Sequence, residues 1–450
     1  MSTMTKVIAD PAEAKRRPSP EVPKLRRGRN RAGVPGTSVL SVQRKVEGSA
    51  TGKTFSDGAA AAYRVEVRRG PDGLVDLQDD WAKLTANALS PNWAFESGWT
   101  VPGVIHLAPA THGVCTVLVW RETAAGASGN NRPQLVGLFV VRDVLPQPIP
   151  VSMTRSWVHD YSAVGTPLLH RGHAAAALET FLEWNDGRSA LGGFFCLRHV
   201  PADGPFHELL HYVLRRSGRP HRVFQPYERA ALAVPESVDD YLNAHQPRKR
   251  RKEYRRLRSR LAETGRLECV EWHPGDDARE WLAAFAALEA SGWKGRAGTA
   301  IACRREHQAF YEQALQLYAD RGDLLFWKLV LDGRPIAMTF GVRTGSQAWL
   351  LKTAYDEAFG RYSPGVLLIL EVMATAVRRG DIRWFDSCAA PDHPMIDHIW
   401  RERQAFCDVL VGPQDAPATF AIGATMEATY RHGRTALKYL YHKLVKGGRP

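Results

Sequence analysis

Apolar residues recur at two spacings along this 450-residue chain, and the switches between them mark its elements. From 63 to 235, alternation at period two predicts strands over 63–67, 114–121, 134–142, 194–199 and 221–225. Apolar positions three and four apart predict helices over 76–89, with Leu77, Trp81 and Leu84 on one face, and over 173–185 and 205–216. A connection rich in Gly and Asn joins 114–121 to 134–142 as a long-looped hairpin. Residues 236–413 repeat this order. Helices are expected over 248–264, 277–290 and 305–320, and then strands 324–331 and 335–343 flank Asp332-Gly333, a tight-hairpin signal. A strand at 347–354, a polar loop at 355–362, a helix from Pro364 to Arg379 and a strand at 383–388 follow. A helix near 395–404 and a strand at 406–411 close the unit. The two stretches share element order without residue identity, which predicts two similar halves packed together. Residues 1–62 show no periodicity and read as a disordered basic tail, and 414–450 as a basic helical extension.

Composition narrows the class. Hydrophobic content of 44% and charged content of 24% are those of a globular protein with a sizeable core. The net charge of +13 favours an anionic partner: nucleic acid, coenzyme A, a polyanionic saccharide or a membrane surface. The six cysteines are scattered, with no CxxC pair, which suits a reducing cytoplasm. No apolar run reaches the roughly 18 residues that span a bilayer. Arg16-Arg17 precede no apolar stretch, so no secretory or twin-arginine signal is expected. Peripheral contact of the last helix with a membrane surface is a further option.

The stretch 347–388 organises the rest. Ser363 suits an N-cap, Pro364 the first helical position and Gly380 the C-cap. A helix that starts straight after a strand and loop presents free N–H groups and the positive dipole end to an anion, and Gly365 lets backbone approach a ligand. Asp386 sits in the apolar run Trp384-Phe385-Asp386, where a carboxylate is either hydrogen-bonded in the core or poised with a raised pKa. Arg251, Arg255 and Arg258 recur at helical spacing as one basic face. His393 and Asp397 spell HxxxD, but their surroundings fit no family that uses it. Neither they nor Asp392 and His398 have metal-site spacing, so no metal is expected.

Several phrases together resemble the GNAT superfamily of acyl-CoA transferases. They are RKRRKEYRRLRSRLAETG at 248–265, LEASGWKGRAGTAI at 288–301, LDGRPIA at 331–337, LKTAYDEAFGRYSPG at 351–365, FDSCA at 385–389 and IWRER at 399–403. The likeness is to the CelD-like acetyltransferases of polysaccharide biosynthesis and, more distantly, to the Fem-type aminoacyl transferases. The first half matches more loosely, through DYSAVGTPL at 160–168. The resemblance implies an α/β fold of two tandem GNAT-like halves, with mixed, mainly antiparallel sheets flanked by helices.

It also implies transfer of an acyl group, acetyl first, from acyl-CoA to an amine or hydroxyl of a small polar or sugar acceptor in envelope or polysaccharide synthesis. Arg361-Tyr362-Ser363-Pro364-Gly365 stand where the family's diphosphate loop lies, with one glycine fewer. The expected cofactor-binding residues are Lys352, Arg361, Tyr362, Ser363 and Gly365. Asp386, Tyr355, Asp356 and Glu357 are the candidates for proton transfer, and Trp293 and Lys294 for the acceptor. Fem-type relatives take the acyl group from charged tRNA, which is the alternative donor. A catalytically degenerate scaffold in a polysaccharide synthase complex is a third reading. Only Tyr254 interleaves the basic run, so sequence-specific nucleic-acid reading is not expected.

Overall fold

The computed structural model describes residues 38–40, 62–108, 113–122, 132–144, 152–189 and 192–445. The strands of the first half are β1 (Ser38–Leu40), β2 (Tyr63–Arg68), β3 (Val114–Arg121), β4 (Gln134–Val144), β5 (Ser152–Ser156), β6 (Leu168–Leu169), β7 (Gly193–Pro201) and β8 (His221–Ala233). Those of the second are β9 (Leu267–Glu271), β10 (Leu324–Leu331), β11 (Arg334–Thr344), β12 (Gln347–Tyr355), β13 (Trp384–Asp386) and β14 (Glu402–Val411). The helices are α1 (Gln78–Ala86), α2 (Ser97–His106), α3 (Ala174–Asp186), α4 (Gly204–Arg216), α5 (Val238–His245), α6 (Arg248–Ala262), α7 (Ala278–Ser291), α8 (Trp293–Arg296), α9 (Arg305–Asp320), α10 (Pro364–Arg379) and α11 (Pro417–Val445).

All the strands form one mixed sheet in the order β1-β2-β3-β4-β5-β7-β14-β8-β13-β12-β11-β10-β9, with β6 beside β4. Pairing is antiparallel throughout except at β5–β7 and β12–β13. Each half lends its last strand to the other. β8 leaves the first half to pair with β13, and β14 returns from the second to pair with β7. The loaned strands then pair with each other, from Glu402 opposite Ala231 to Val411 opposite His221. A boundary drawn at 235/236 therefore leaves both parts of the sheet without a strand they use.

The helices cover the sheet by their apolar faces. α3 and α4 bury Phe181, Phe206 and Val213 on the first half, and α10 buries Leu368, Ile369 and Val372 on the second. A third core spans both halves. Trp99 of α2 meets Phe310 edge-on at a centroid distance of 4.8 Å and Tyr311 at 5.9 Å, both on α9. Such pairs add about 0.5–1.5 kcal/mol beyond the area they bury.

Several expectations need correction. The helix expected near 395–404 is one 3-10 turn, Ile396–His398, and β14 already begins at Glu402. Its apolar positions Ile396, Ile399 and Trp400 are core anchors of a loop, and pairing with β8 takes the backbone beyond. The strand expected to end at 225 runs to Ala233. Pro226 hid its continuation, and Pro is tolerated there because Gln225 (φ 47°) opens an irregularity in the register with β14. The loop at 355–362 contains a 3-10 helix, Glu357–Tyr362. α2 carries Pro102 and was not anticipated. Ser38–Leu40, within the segment expected to be disordered, pair with the edge of β2, whose free backbone groups invite a partner. The rest of 1–61 and the hairpin tip at 123–131 lie outside the described residues.

α11 is fixed to the sheet by charge as well as by Phe420, Ala424 and Ala428. Glu427 accepts Arg155 Nη2 at 2.5 Å and Arg431 Nε at 2.7 Å, and Arg431 Nη1 reaches Asp408 of β14 at 2.7 Å. Removing Glu427 from this buried set strands the Arg155 guanidinium and leaves Arg431 with Asp408 alone. Glu427→Gln is therefore expected to cost about 3–5 kcal/mol, read as a lower denaturation midpoint. An unchanged midpoint would show that the network adds nothing to stability.

Candidate active site

β12 and β13 run side by side for three residues, from Gln347 opposite Trp384 to Trp349 opposite Asp386, and then part. Just past that point the register of β12 on β11 slips. Gly341 faces Leu350 and Phe340 faces Lys352, so Leu351 is the extra residue of a bulge, with no partner in the register. Gly341 makes the bulge feasible, since a Cβ there would sit 2.1 Å from the Trp349 carbonyl oxygen. The parting strands open a cavity of about 720 Å³, lined by Leu350–Thr353 on one side and Ser387–Ala390 on the other. Its volume is that of a small-molecule site.

In the first half the parallel pair β5–β7 ends at Arg155 and Cys196, but no equivalent opening follows among the described residues. The chain itself fills it. The Gly165 amide donates to the His199 carbonyl at 3.2 Å, and a Cβ on Gly165 would lie 2.2 Å from the Arg198 oxygen. The same segment turns Asp160–Ala163 into the wall of the second half's cavity.

The expected residues fall into different places. At the start of α10, Ser363 has left-handed dihedrals (φ 52°, ψ 56°), so its side chain does not cap the helix. Its carbonyl instead accepts the Val366 and Leu367 amides. Gly365 is buried, and the Met395 sulfur lies 3.0 Å from where its Cβ would be, so a flexible thioether covers this amide end. Tyr362 is packed in the core, its hydroxyl accepting from exposed Arg361 at 2.7 Å. α6 packs against the 357–362 turn, and the buried Nε of its Arg251 has no acceptor among the described residues.

Lys352 and Lys294 both line the cavity, on a partner that sequence reading missed. Glu289 of α7 is fully buried. One carboxylate oxygen accepts Lys352 Nζ at 2.8 Å and Lys294 Nζ at 3.1 Å, and the other accepts the Ile301 amide at 2.8 Å. Burial works to raise the Glu289 pKa, but Lys352 and the other donors outweigh it and hold the pKa below the ordinary value. Burial lowers the pKa of Lys352, against the pull of Glu289. Two ammonium groups thus share one carboxylate. Glu289 was legible only as a carboxylate on the otherwise apolar face of 277–290.

Asp386 is buried in a forked pair with Arg229 of β8, with Nε to Oδ1 at 2.7 Å and Nη2 to Oδ2 at 2.5 Å, and it accepts the Cys388 amide at 2.9 Å. The neighbours of Asp386, Ser387 and Cys388, line the cavity. Tyr355 is exposed beside Gly365. Asp356 caps the 3-10 turn through the Ala358 amide and pairs with Arg334. Glu357 accepts the Trp293 amide and Arg296, each at 2.7 Å. The Trp293 ring is exposed. The cavity therefore gathers Lys352 and Lys294 and leaves Tyr355, Asp356 and Glu357 outside its lining.

Other cavity residues were assigned no role from the sequence. Tyr161 bonds His307 Nδ1 at 2.5 Å, and its ring lies 5.8 Å from Lys352 Nζ. His199 Nδ1 bonds the Tyr227 hydroxyl at 2.8 Å. Burial pushes His199 down to about 4 and Tyr227 up to about 12, so both are neutral at pH 7. His199, Gln225 and Cys388 all line the cavity with φ near +50°. Backbone strain of this kind gathers at functional sites. His393, of the HxxxD phrase, also faces the cavity, and burial lowers its pKa.

Residues 248–393 match the acetyltransferase (GNAT) domain family, a stretch shorter than half the chain. No curated protein matches. Among solved structures, FemX is similar at 12% identity over 77% of this chain and 97% of its own, with a TM-score of 0.47. A tandem GNAT protein of the clavulanic acid pathway is similar at 16% identity over 78% and 98%, with a TM-score of 0.39. L-PGS from Bacillus licheniformis is similar at 12% identity over 67% and 86%, with a TM-score of 0.40. Likeness at this level carries no functional reading.

Glu289→Gln removes the only carboxylate bonded to both lysines among the described residues, and should cost about 3–5 kcal/mol at neutral pH. Because the folded-state pKa is depressed, that contribution is present above the unfolded carboxylate's pKa and is lost as pH falls through the folded one. Denaturation of the two proteins should therefore differ at pH 7 and converge in acid. A gap that persists in strong acid would contradict an ionised Glu289.

Proposed function

We propose that the chain moves an acyl group, acetyl first, from an acyl-CoA thioester to an amine or hydroxyl of a polar acceptor that carries an anionic group. The observation that carries this reading is the parting of β12 and β13 beside the bulge at Leu351, inside the stretch that matches the acetyltransferase (GNAT) domain. The residues present fit such a donor. The cavity has room for it, Gly365 offers an amide with no Cβ above it once Met395 swings away, and Arg251 holds an unused buried donor. The thioester supplies an activated carbonyl, so the protein's tasks are alignment, oxyanion stabilisation and proton removal.

In this reading the backbone at the Leu351 bulge donates to the carbonyl oxygen as negative charge grows on it. Lys352 and Lys294, two positive charges against one buried carboxylate, attract the anionic group of the acceptor. Tyr227 relays the acceptor's proton to the His199 imidazole, which burial keeps neutral. Asp386 and Arg229 act by position, holding β13 where it leaves β12. The CelD-like resemblance supports an acceptor in envelope or exopolysaccharide synthesis and a cytoplasmic setting. No helix among the described residues is long and apolar enough to cross a membrane.

Acetyl-CoA at up to millimolar concentration should raise the melting temperature. No shift, together with copurified RNA and a salt-dependent tRNA complex, would favour the Fem-type donor instead. Tyr227→Phe should keep the acetyl-CoA shift and lower kcat by about 10²-fold or more. The wild-type rate should fall only as pH drops toward about 4, where His199 gains its proton. An unchanged kcat in Tyr227→Phe would remove the relay from the reaction.

A further inference from the structure

α11 is attached to the body along only part of its length. Gly423, Ala424, Glu427 and Ala428 face the sheet, and from His432 to Leu437 every residue is exposed, as is Leu440. Ile422, Tyr430, Leu437 and Leu440 are among the exposed large apolar side chains of the described residues, at 58%, 52%, 69% and 50%. With half-buried Met426 they follow one another at spacings of four, four, seven and three. On an α-helix such positions form a single stripe, here about 27 Å long at 1.5 Å per residue. The stripe lies to one side of the face that packs on the sheet, so the fold leaves it uncovered.

Charge decides what suits it. After Glu427 the sequence contains no Asp or Glu, and it carries Arg431, Arg434, Lys438, Lys443, Lys446 and Arg449. The sheet beside the helix adds to this. Arg142 and Arg155 are cross-strand neighbours on β4 and β5, and the Arg155 guanidinium lies 5.8 Å from the Tyr430 ring. Arg155 and Arg431 are matched by Glu427 and Asp408. Arg142, Arg198 and Arg434 have no carboxylate partner among the described residues, and their mutual repulsion, after burial, lowers the pKa of Arg142. A second copy of this chain would bring like charge against like charge. A surface that is apolar just below a layer of negative charge satisfies both features of the helix.

We infer that the exposed stripe of α11 and the unmatched arginines beside it form a docking surface for a bilayer rich in anionic phospholipid. The inference stands apart from the acyl-transfer reading, since it uses no residue of the cavity. Docked this way, the chain would work at a membrane face on acceptors delivered there.

Cosedimentation of the full chain with vesicles tests it. Binding to phosphatidylcholine vesicles containing about one third phosphatidylglycerol should exceed binding to pure phosphatidylcholine by about fivefold or more, and should weaken as salt is raised. Leu437→Glu with Leu440→Glu, both exposed, should lower that binding about fivefold while melting temperature and the acetyl-CoA shift stay as in the wild type. Equal binding to neutral vesicles, no binding to either, or retention of binding by the double variant would overturn the proposal. So would a concentration-dependent dimer that the double variant abolishes, because the stripe would then belong to a second copy.

Discussion

The forked pair between Arg229 and Asp386 is the contact on which the rest of the structure leans. Arg229 belongs to the strand that the first half gives away, and Asp386 to the strand that receives it. A third donor of the same guanidinium holds the Ala163 carbonyl at 3.0 Å, which ties in the segment carrying Tyr161. The guanidinium also lies 3.8 Å from the centre of the Phe406 ring on β14. Burial opposes the charge on Arg229, but Asp386 more than compensates and its pKa stays above the ordinary value. A buried pair of this kind adds little net stability over apolar packing, yet it tolerates no other register, because a slip would leave either charge bare. It therefore fixes where β13 ends its contact with β12, and so where the cavity begins.

The two halves have the same strand plan and opposite fates. In the second, the parting of two parallel strands leaves a cavity. In the first, Val158–Gly165 fill the corresponding space so tightly that only glycine fits at 165. What the first half loses as a container it returns as a wall, contributing Tyr161, His199 and Tyr227 to the space next to Lys352. The third core, with Trp99 against Phe310 and Tyr311, keeps that wall in place from the far side.

Much of this was legible in the residues. Asp332-Gly333, the helical spacing of Trp281, Leu282 and Phe285, and the Pro364 to Gly380 pair marked their elements because each signal is local. The exchange of β8 and β14 was not legible, since period-two alternation says that a strand exists and nothing about its neighbour. Lys352 and Lys294 could be singled out as charges near an apolar strand, but Glu289 acquires its meaning only when α7 is laid across β12. His199 and Tyr227 stand 28 residues apart in sequence and meet only because β14 is inserted between their strands and bulges beside them. Ser363 was read as a cap from residue type alone, whereas its left-handed backbone turns the hydroxyl away from that task.

The strand loan also has a consequence for biosynthesis. β14 lies in the middle of the sheet but leaves the ribosome well after its neighbours β7 and β8. At about 5–20 residues per second, roughly 10–30 s separate the emergence of β8 from that of β14. Over that interval the nascent chain has two strands with bare hydrogen-bonding edges and no partner to lay between them. The sheet is thus a zip that closes only once β14 has emerged, and until then those edges stay open to other chains.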